Sequence, residues 1–308
     1  MIIYQHPDSI LHHVPTGHPE RPERIAAITQ MLAQNFARET TKTAPQATDN
    51  QLALVHDDEY LQKLFAASPR EGLLGLDGDT YLSPKTLEIA KTGAGAACAA
   101  VDDVMMNAGE SAFVAMRPPG HHAEPDKAMG FRFFSNAAIA ARHAQHQYGI
   151  DKVAVLDFDV HHGNGTQACF WHRSDCLYAS THEMPLFPGS GHTDEVGKGS
   201  IFNQPLRSGM DGDDVIAAWK PLLASLEKAG PELIIISAGF DAHQDDPLAS
   251  INMTSSDYYE LTAMIISLAD KTANGRVVSL LEGGYDLDAL SSSLKHHLLA
   301  ISGKPKDV

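Results

Sequence analysis

The segment Asp157-Phe158-Asp159-Val160-His161 places a carboxylate and an imidazole two residues apart. On extended backbone, side chains at i and i+2 point to the same side, so Asp159 and His161 can face one point. That pair suits zinc, and a catalytic zinc takes three protein ligands and keeps one position for water. Asp241, just past the apolar run 233–237, is the natural third ligand. An isolated Asp-x-His more often caps a turn and leaves a surface histidine. The His-His-Gly-Asn-Gly that begins at His161, and a second His-His at 121–122, favour the metal.

His121 and His122 follow Arg-Pro-Pro-Gly, a sequence that makes a tight, stiff turn. A water attacking an amide needs a base and the leaving amine needs a proton, and histidine does both near neutral pH. Asp157 is available behind a histidine to hold its tautomer. Tyr285 follows Glu-Gly-Gly, where glycines let the backbone approach a crowded site and the phenol can donate to a developing oxyanion. Phe131 and Phe187 sit in loop-like contexts and can wall a narrow apolar channel. His12-His13 and His296-His297 read as surface pairs.

The elements that must position these groups alternate. Apolar, β-rich runs at 1–4, 112–116, 153–157, 177–180, 233–237 and 277–281 predict strands, several of them continuous enough to be buried on both faces. Helical spacing appears over 22–37, 83–106, 136–148, 213–229 and 255–272, the last opened by a Ser-Ser-Asp cap. This pattern predicts an α/β fold: one domain over 1–308, an open parallel sheet with helices on both faces. The polar segments all follow strands, and open α/β sheets bind ligands at the carboxyl ends of their strands. The segment 73–79 is a candidate for the rim of such a site.

With 23 Lys and Arg against 39 Asp and Glu, the formal charge is −16. Such a balance disfavours nucleic acid and anionic membrane as partners. Cys98, Cys169 and Cys176 form no CxxC pair, so no disulfide framework or cysteine-rich metal module is expected. The first residues lack the pattern of a signal peptide, and no apolar run approaches the ~18 residues of a membrane span. A cytoplasmic protein is the expectation.

Taken in order, RPPGHHAE (117–124), DFDVHHGNGTQ (157–167), FPGSG (187–191), SAGFDAHQDDPL (237–248) and LEGGYDL (281–287) resemble the histone deacetylase family, and GHPERPERI (17–25) is similar to its N-terminal signature. The sub-type resembles class II members and their bacterial amidohydrolase relatives. The resemblance implies an arginase/deacetylase fold with a parallel sheet of about eight strands. It implies Zn2+ on Asp159, His161 and Asp241, His122 as base and then acid, and His121 paired with Asp157 as an electrostatic partner. Asn164 stands behind the second histidine where many class I members have an aspartate. Tyr285 would polarise the acyl carbonyl, Phe131 and Phe187 would line an acyl-lysine tunnel beside Gly130, and Arg24 resembles an arginine at the cavity floor. A structural K+ site resembles what Asp157, Ser180 and the carbonyls of Asp159, His161 and Thr181 would form.

Two rivals are weighed. Asp241-Ala242-His243-Gln244-Asp245 looks like a ligand motif of two-metal, arginase-like ureohydrolases, but it comes after the 159–161 pair, where the family expects one last ligand. A non-catalytic acyl-binding module would lack the tyrosine, a ligand or the histidine pair, and all are present. For the substrate, Leu248 resembles the apolar rim residue of lysine-type enzymes, which favours acetyl-lysine. Asp79, Glu124 and the net charge keep an acetylpolyamine or another small acetylated amine as the alternative. The sequence does not fix an oligomeric state.

Overall fold

A computed structural model describes residues 1–107 and 109–306; Ala108, Asp307 and Val308 of the expected 1–308 span lie outside the described residues. The strands are β1 (Ile2–Gln5), β2 (Thr40–Thr43), β3 (Leu74–Gly75), β4 (Tyr81–Leu82), β5 (Ser111–Val114), β6 (Val153–Asp157), β7 (Cys176–Glu183), β8 (Ile201–Leu206), β9 (Leu233–Ala238) and β10 (Val277–Leu281). The helices are α1 (Glu23–Asn35), α2 (Asp49–Leu52), α3 (Asp58–Ala66), α4 (Thr86–Met106), α5 (Asn136–Tyr148), α6 (Asn164–Phe170), α7 (Gly212–Ala229), α8 (Ser255–Thr272) and α9 (Leu287–Ile301). Eight strands form one sheet in the order β2-β1-β5-β10-β9-β6-β7-β8, with every pairing parallel. β3 and β4 make a separate antiparallel pair.

The strand period of two builds both layers. Val153 and Val155 of β6 pack with the alanine-rich helices α4 and α5 on one face. Ala154 and Leu156 point the other way and pack with α7, α8 and α9. Every residue of β6, β9 and β10 is buried, which explains their continuous apolar runs. Each fully buried Val, Leu or Ile contributes about 1.5–3 kcal/mol.

Where the structure departs from expectation, the reasons are local. β2 and β8 escape the sequence pattern because they are edge strands: β2 is the polar Thr-Thr-Lys-Thr, and β8 contains Pro205, tolerated there because an edge need not donate on both sides. α4 starts at Thr86 rather than Ser83, and α8 is capped by Thr254 with Asp257 in a capping box. His12 and His297, expected at the surface, are buried. His297 is held between Thr262 Oγ1 at 2.7 Å and Ser279 Oγ at 2.8 Å, and His12 lies 2.8 Å from Thr86 Oγ1. Hydroxyl partners make an interior imidazole acceptable.

These interior histidines predict acid sensitivity. Burial lowers His12 and His297 to about 3 and His56 and His182 to about 4. The folded chain keeps them neutral, while the unfolded chain takes up protons below about 6.5. Their stabilisation is therefore complete above that value and is lost progressively as pH falls toward 3–4. Thermal melts with chelator present, so that metal release contributes nothing, should show a lower Tm at pH 5 than at pH 7. An unchanged Tm would mean these rings are already protonated in the fold.

Candidate active site

The carboxyl ends of the four central strands, β5, β10, β9 and β6, carry the chemical groups. β6 ends in Asp157 and runs on through Asp159 and His161, and β9 runs on to Asp241. β10 is followed by Glu282–Tyr285, and β5 leads into the 117–122 turn. Asp159, His161 and Asp241 are buried, and a ligand atom from each lies within 4.8 Å of the others. His161 Nδ1 is 3.2 Å from Asp159 Oδ1 and 3.1 Å from Asp241 Oδ2. Backbone amides aim the carboxylates: Gly283 N donates to Asp159 Oδ2 at 2.8 Å and Val160 N to Asp241 Oδ1 at 2.9 Å. A Cβ on Gly283 would stand 2.1 Å from Asp241 Oδ2, so only glycine admits the pair here.

The charges are strongly coupled. Burial opposes ionising Asp159, yet His121 and His161 outweigh it and hold the carboxyl well below its ordinary range. Asp241 is raised by burial and by the charge of Asp159. Burial also opposes a charged His161, but the two carboxylates overcome it and push the ring up to about 10. A proton thus sits between two carboxylates where a cation would replace it. Two carboxylate oxygens and one imidazole nitrogen fit a divalent metal with a position left open.

Both histidines of the 121–122 pair are buried beside this triplet. His121 Nδ1 lies 3.0 Å from Asp157 Oδ2, while its Nε2 has no partner. Burial disfavours its charge, and Asp159 and Asp157 reverse that, raising its pKa. His122 Nδ1 lies 2.8 Å from Asn164 Oδ1, and Asn164 Nδ2 donates to Glu124 at 2.7 Å, which fixes the amide's orientation. Burial and then the neighbouring His121 charge drive the pKa of His122 well down. The two histidines are therefore unlike: one favours a proton and the other refuses it.

A cavity of about 220 Å³ opens onto this group. Its lining includes His122, His161 and Tyr285, with Gly130, Phe131, Phe187 and Leu248. The Phe187 ring meets His122 edge-on at 5.0 Å, and Phe131 meets Tyr285 at 6.2 Å. Phe131 adopts φ 73°, a left-handed conformation costly for a bulky residue, with its N–H bonded to Thr80 Oγ1. Tyr285 Oη is buried without a partner. Arg24 donates to the carbonyls of Gly284 and Glu282 at 2.6 Å and lies 4.9 Å from the Tyr285 ring, so it braces the tyrosine. Ser180 pairs with Asp157 in the β6–β7 register and its Oγ lies 2.9 Å from His182 Nδ1; Thr181 follows it in β7.

Sequence reasoning missed several contributors. Arg132 and Leu186 line the same cavity, beside Asp79 from the 73–79 segment that the sequence did offer as a rim candidate. Glu282 accepts from the amides of Gly120 and His121, fixing the histidine turn. Asp246 accepts from Tyr285 N at 2.7 Å. The one visible signal was Arg132, a charge set among Phe131, Phe133 and Phe134.

A parallel α/β sheet carrying these groups at its strand ends is the framework of an amide hydrolase of the deacetylase type, and comparison with known proteins gives the family. The histone deacetylase domain matches residues 18–301. The chain belongs to the histone deacetylase family. It is 41% identical over 277 residues to a histone deacetylase-like amidohydrolase of Pseudomonas aeruginosa, covering 87% of this chain and 73% of that protein. It is 34% identical to a probable deacetylase of Archaeoglobus fulgidus, covering 92% and 80%. The crystal structure of the HDA15 HD domain superposes with a TM-score of 0.92 at 34% identity, over 99% of this chain and 91% of that one. Among the described residues, no helix is long and apolar enough to cross a membrane.

Proposed function

We propose that this deacetylase is zinc-dependent and removes acetyl groups from acetyl-lysine, yielding acetate and a free amine. The observation that carries the reading is the Asp159–His161–Asp241 triplet facing the same cavity as His122 and Tyr285. Zn2+ on those three ligands would supply a Lewis acid for the acyl carbonyl and lower the pKa of an attacking water. His122 is the base: its low pKa keeps it neutral, and Asn164 holds Nδ1–H so that Nε2 is free to take the proton. The same nitrogen returns it to the leaving amine. The unpartnered Tyr285 hydroxyl donates to the carbonyl oxygen as charge builds there. His121, charged beside Asp157, favours negative charge nearby. K+ bound by Asp157, Ser180 and the carbonyls of Asp159, His161 and Thr181 would stiffen the β6–β7 ends. Three free cysteines support a reducing compartment, and the cytoplasm is our choice.

Leu248 on the cavity wall favours a neutral acyl-lysine stem. Asp79 on the same wall supports the second reading, an acetylpolyamine whose distal ammonium it would attract. An assay panel of acetyl-lysine peptides and acetylspermidine decides between them. We expect the peptides to be cleaved faster, all cleavage to stop with chelator, and zinc to restore it. Faster acetylspermidine cleavage would sink the Leu248 argument, and chelator-resistant cleavage would sink the zinc.

A further inference from the structure

The working nitrogen of His122 is chosen two hydrogen bonds away from the ring. His122 Nδ1 lies 2.8 Å from Asn164 Oδ1, and an amide oxygen only accepts, so the ring proton sits on Nδ1. Turned over, the same amide would present its NH2, and the ring proton would move to Nε2, the nitrogen that has to stay free. The two ends of an amide are nearly equal in size, so packing alone does not choose between these orientations.

The group behind the amide makes the choice. Glu124 Oε1 accepts from Asn164 Nδ2 at 2.7 Å, and an ionised carboxylate can only accept. The other acceptors near Nδ2 are weak: the Met129 sulfur at 3.3 Å and the His122 carbonyl at 3.5 Å. Asn164 is buried, so an NH2 without Glu124 would be left poorly satisfied in the interior. Backbone bonds hold the carboxylate in place. Glu124 N donates to the Lys127 carbonyl at 2.9 Å, and the carbonyl of Pro125 accepts from Asp57 N at 3.0 Å.

Glu124 does not line the tunnel cavity. It stands half-buried in a separate cleft of about 410 Å³ with Asn164, Gln167, Trp171 and Ser190, and no residue lines both spaces. The carboxylate that the sequence offered as an attractor for a substrate ammonium therefore lies behind the histidine, away from the substrate's path.

We infer that Glu124 is a positioning residue for the reaction: acting through Asn164, it fixes the Nδ1–H tautomer of His122 and so keeps Nε2 bare. This rests on the reading of His122 as the base.

The test uses zinc-loaded protein with ¹⁵N-labelled histidine. In the wild type, NMR should show His122 protonated on Nδ1 and bare on Nε2, a measurement that needs no variant. Glu124→Gln keeps the shape, but its amide can donate or accept, so the choice of tautomer is lost. A second His122 tautomer should appear in that variant. Its kcat on an acetyl-lysine peptide should fall about tenfold, the lower end for an outer partner of a site histidine. KM should stay within about twofold, because Glu124 does not reach the tunnel. Asn164→Asp supplies the discriminating background. The carboxylate it sets against Nδ1 can only accept, so the tautomer no longer depends on Glu124. Adding Glu124→Gln there should change kcat by less than about twofold.

A wild-type His122 protonated on Nε2 alone overturns the proposal, as does a Glu124→Gln protein in which the tautomer does not move. An undiminished loss from Glu124→Gln in the Asn164→Asp background also overturns it, since a mere structural prop would be missed equally in both. A second tautomer in Glu124→Gln with kcat unchanged defeats the reading of His122 as the base and leaves Glu124 setting the ring's tautomer.

Discussion

Replacing His122 with phenylalanine should lower kcat on an acetyl-lysine peptide by roughly 10²–10⁴-fold, the range for losing a positioned acid–base group. The near-isosteric ring preserves the edge contact with Phe187, so the variant should fold and bind substrate with KM little changed. The size of the loss follows from how completely the site commits this ring. Burial and the adjacent His121 charge keep it unprotonated, and Asn164 fixes which nitrogen is free. His121 cannot substitute. Its raised pKa holds a proton, and its Nδ1 is engaged by Asp157. A loss of less than about threefold in His122→Phe would remove it from the proton transfers and move the search for a base to another group on the cavity.

What could be read from the sequence follows from what kind of constraint each residue answers to. Val153–Asp157 and Leu233–Ala238 were legible because strands buried on both faces must be apolar throughout. The edge strands Thr40–Thr43 and Ile201–Leu206 were not, because an edge satisfies its backbone without such a run. Asp159 and His161 were legible because their convergence is local, set by the period of an extended chain. Asp241 was legible only by its place after a strand. Glu282 and Asp246 were invisible: each acts on a backbone amide brought near by the fold, Glu282 on Gly120 and His121, and Asp246 on Tyr285. His12 and His297 misled for the same reason, since the hydroxyls that make them tolerable in the interior come from distant segments. Arg132 lay in plain view between residues already singled out, but a charge among phenylalanines carries no meaning until the fold sets it 3.9 Å from Asp159 and Glu282.

Asp241→Asn should abolish metal binding and activity while leaving the fold intact. The asparagine Oδ1 can still accept from Val160 N, as Asp241 Oδ1 does. The atom lost is Oδ2, which faces His161 Nδ1 and would become an amide NH2 unable to coordinate a cation. Groups that merely support metal ligands are worth 10–100-fold in metal affinity or activity. A direct anionic ligand, one of only three, should exceed that. Elemental analysis should give about one zinc per wild-type chain and less than about a tenth in the variant, with deacetylation below about 1% of wild type. The same measurement tests the two-metal alternative. His243 Nδ1 accepts from Asp245 N at 3.2 Å and its Nε2 lies 3.2 Å from Ser255 Oγ, so both ring nitrogens are engaged outside the triplet. Replacing His243 and Asp245 together with alanine should therefore leave the zinc content at one. Two metals per wild-type chain, one of them lost in that double variant, would overturn the single-zinc site and return His243 and Asp245 to the ligand set.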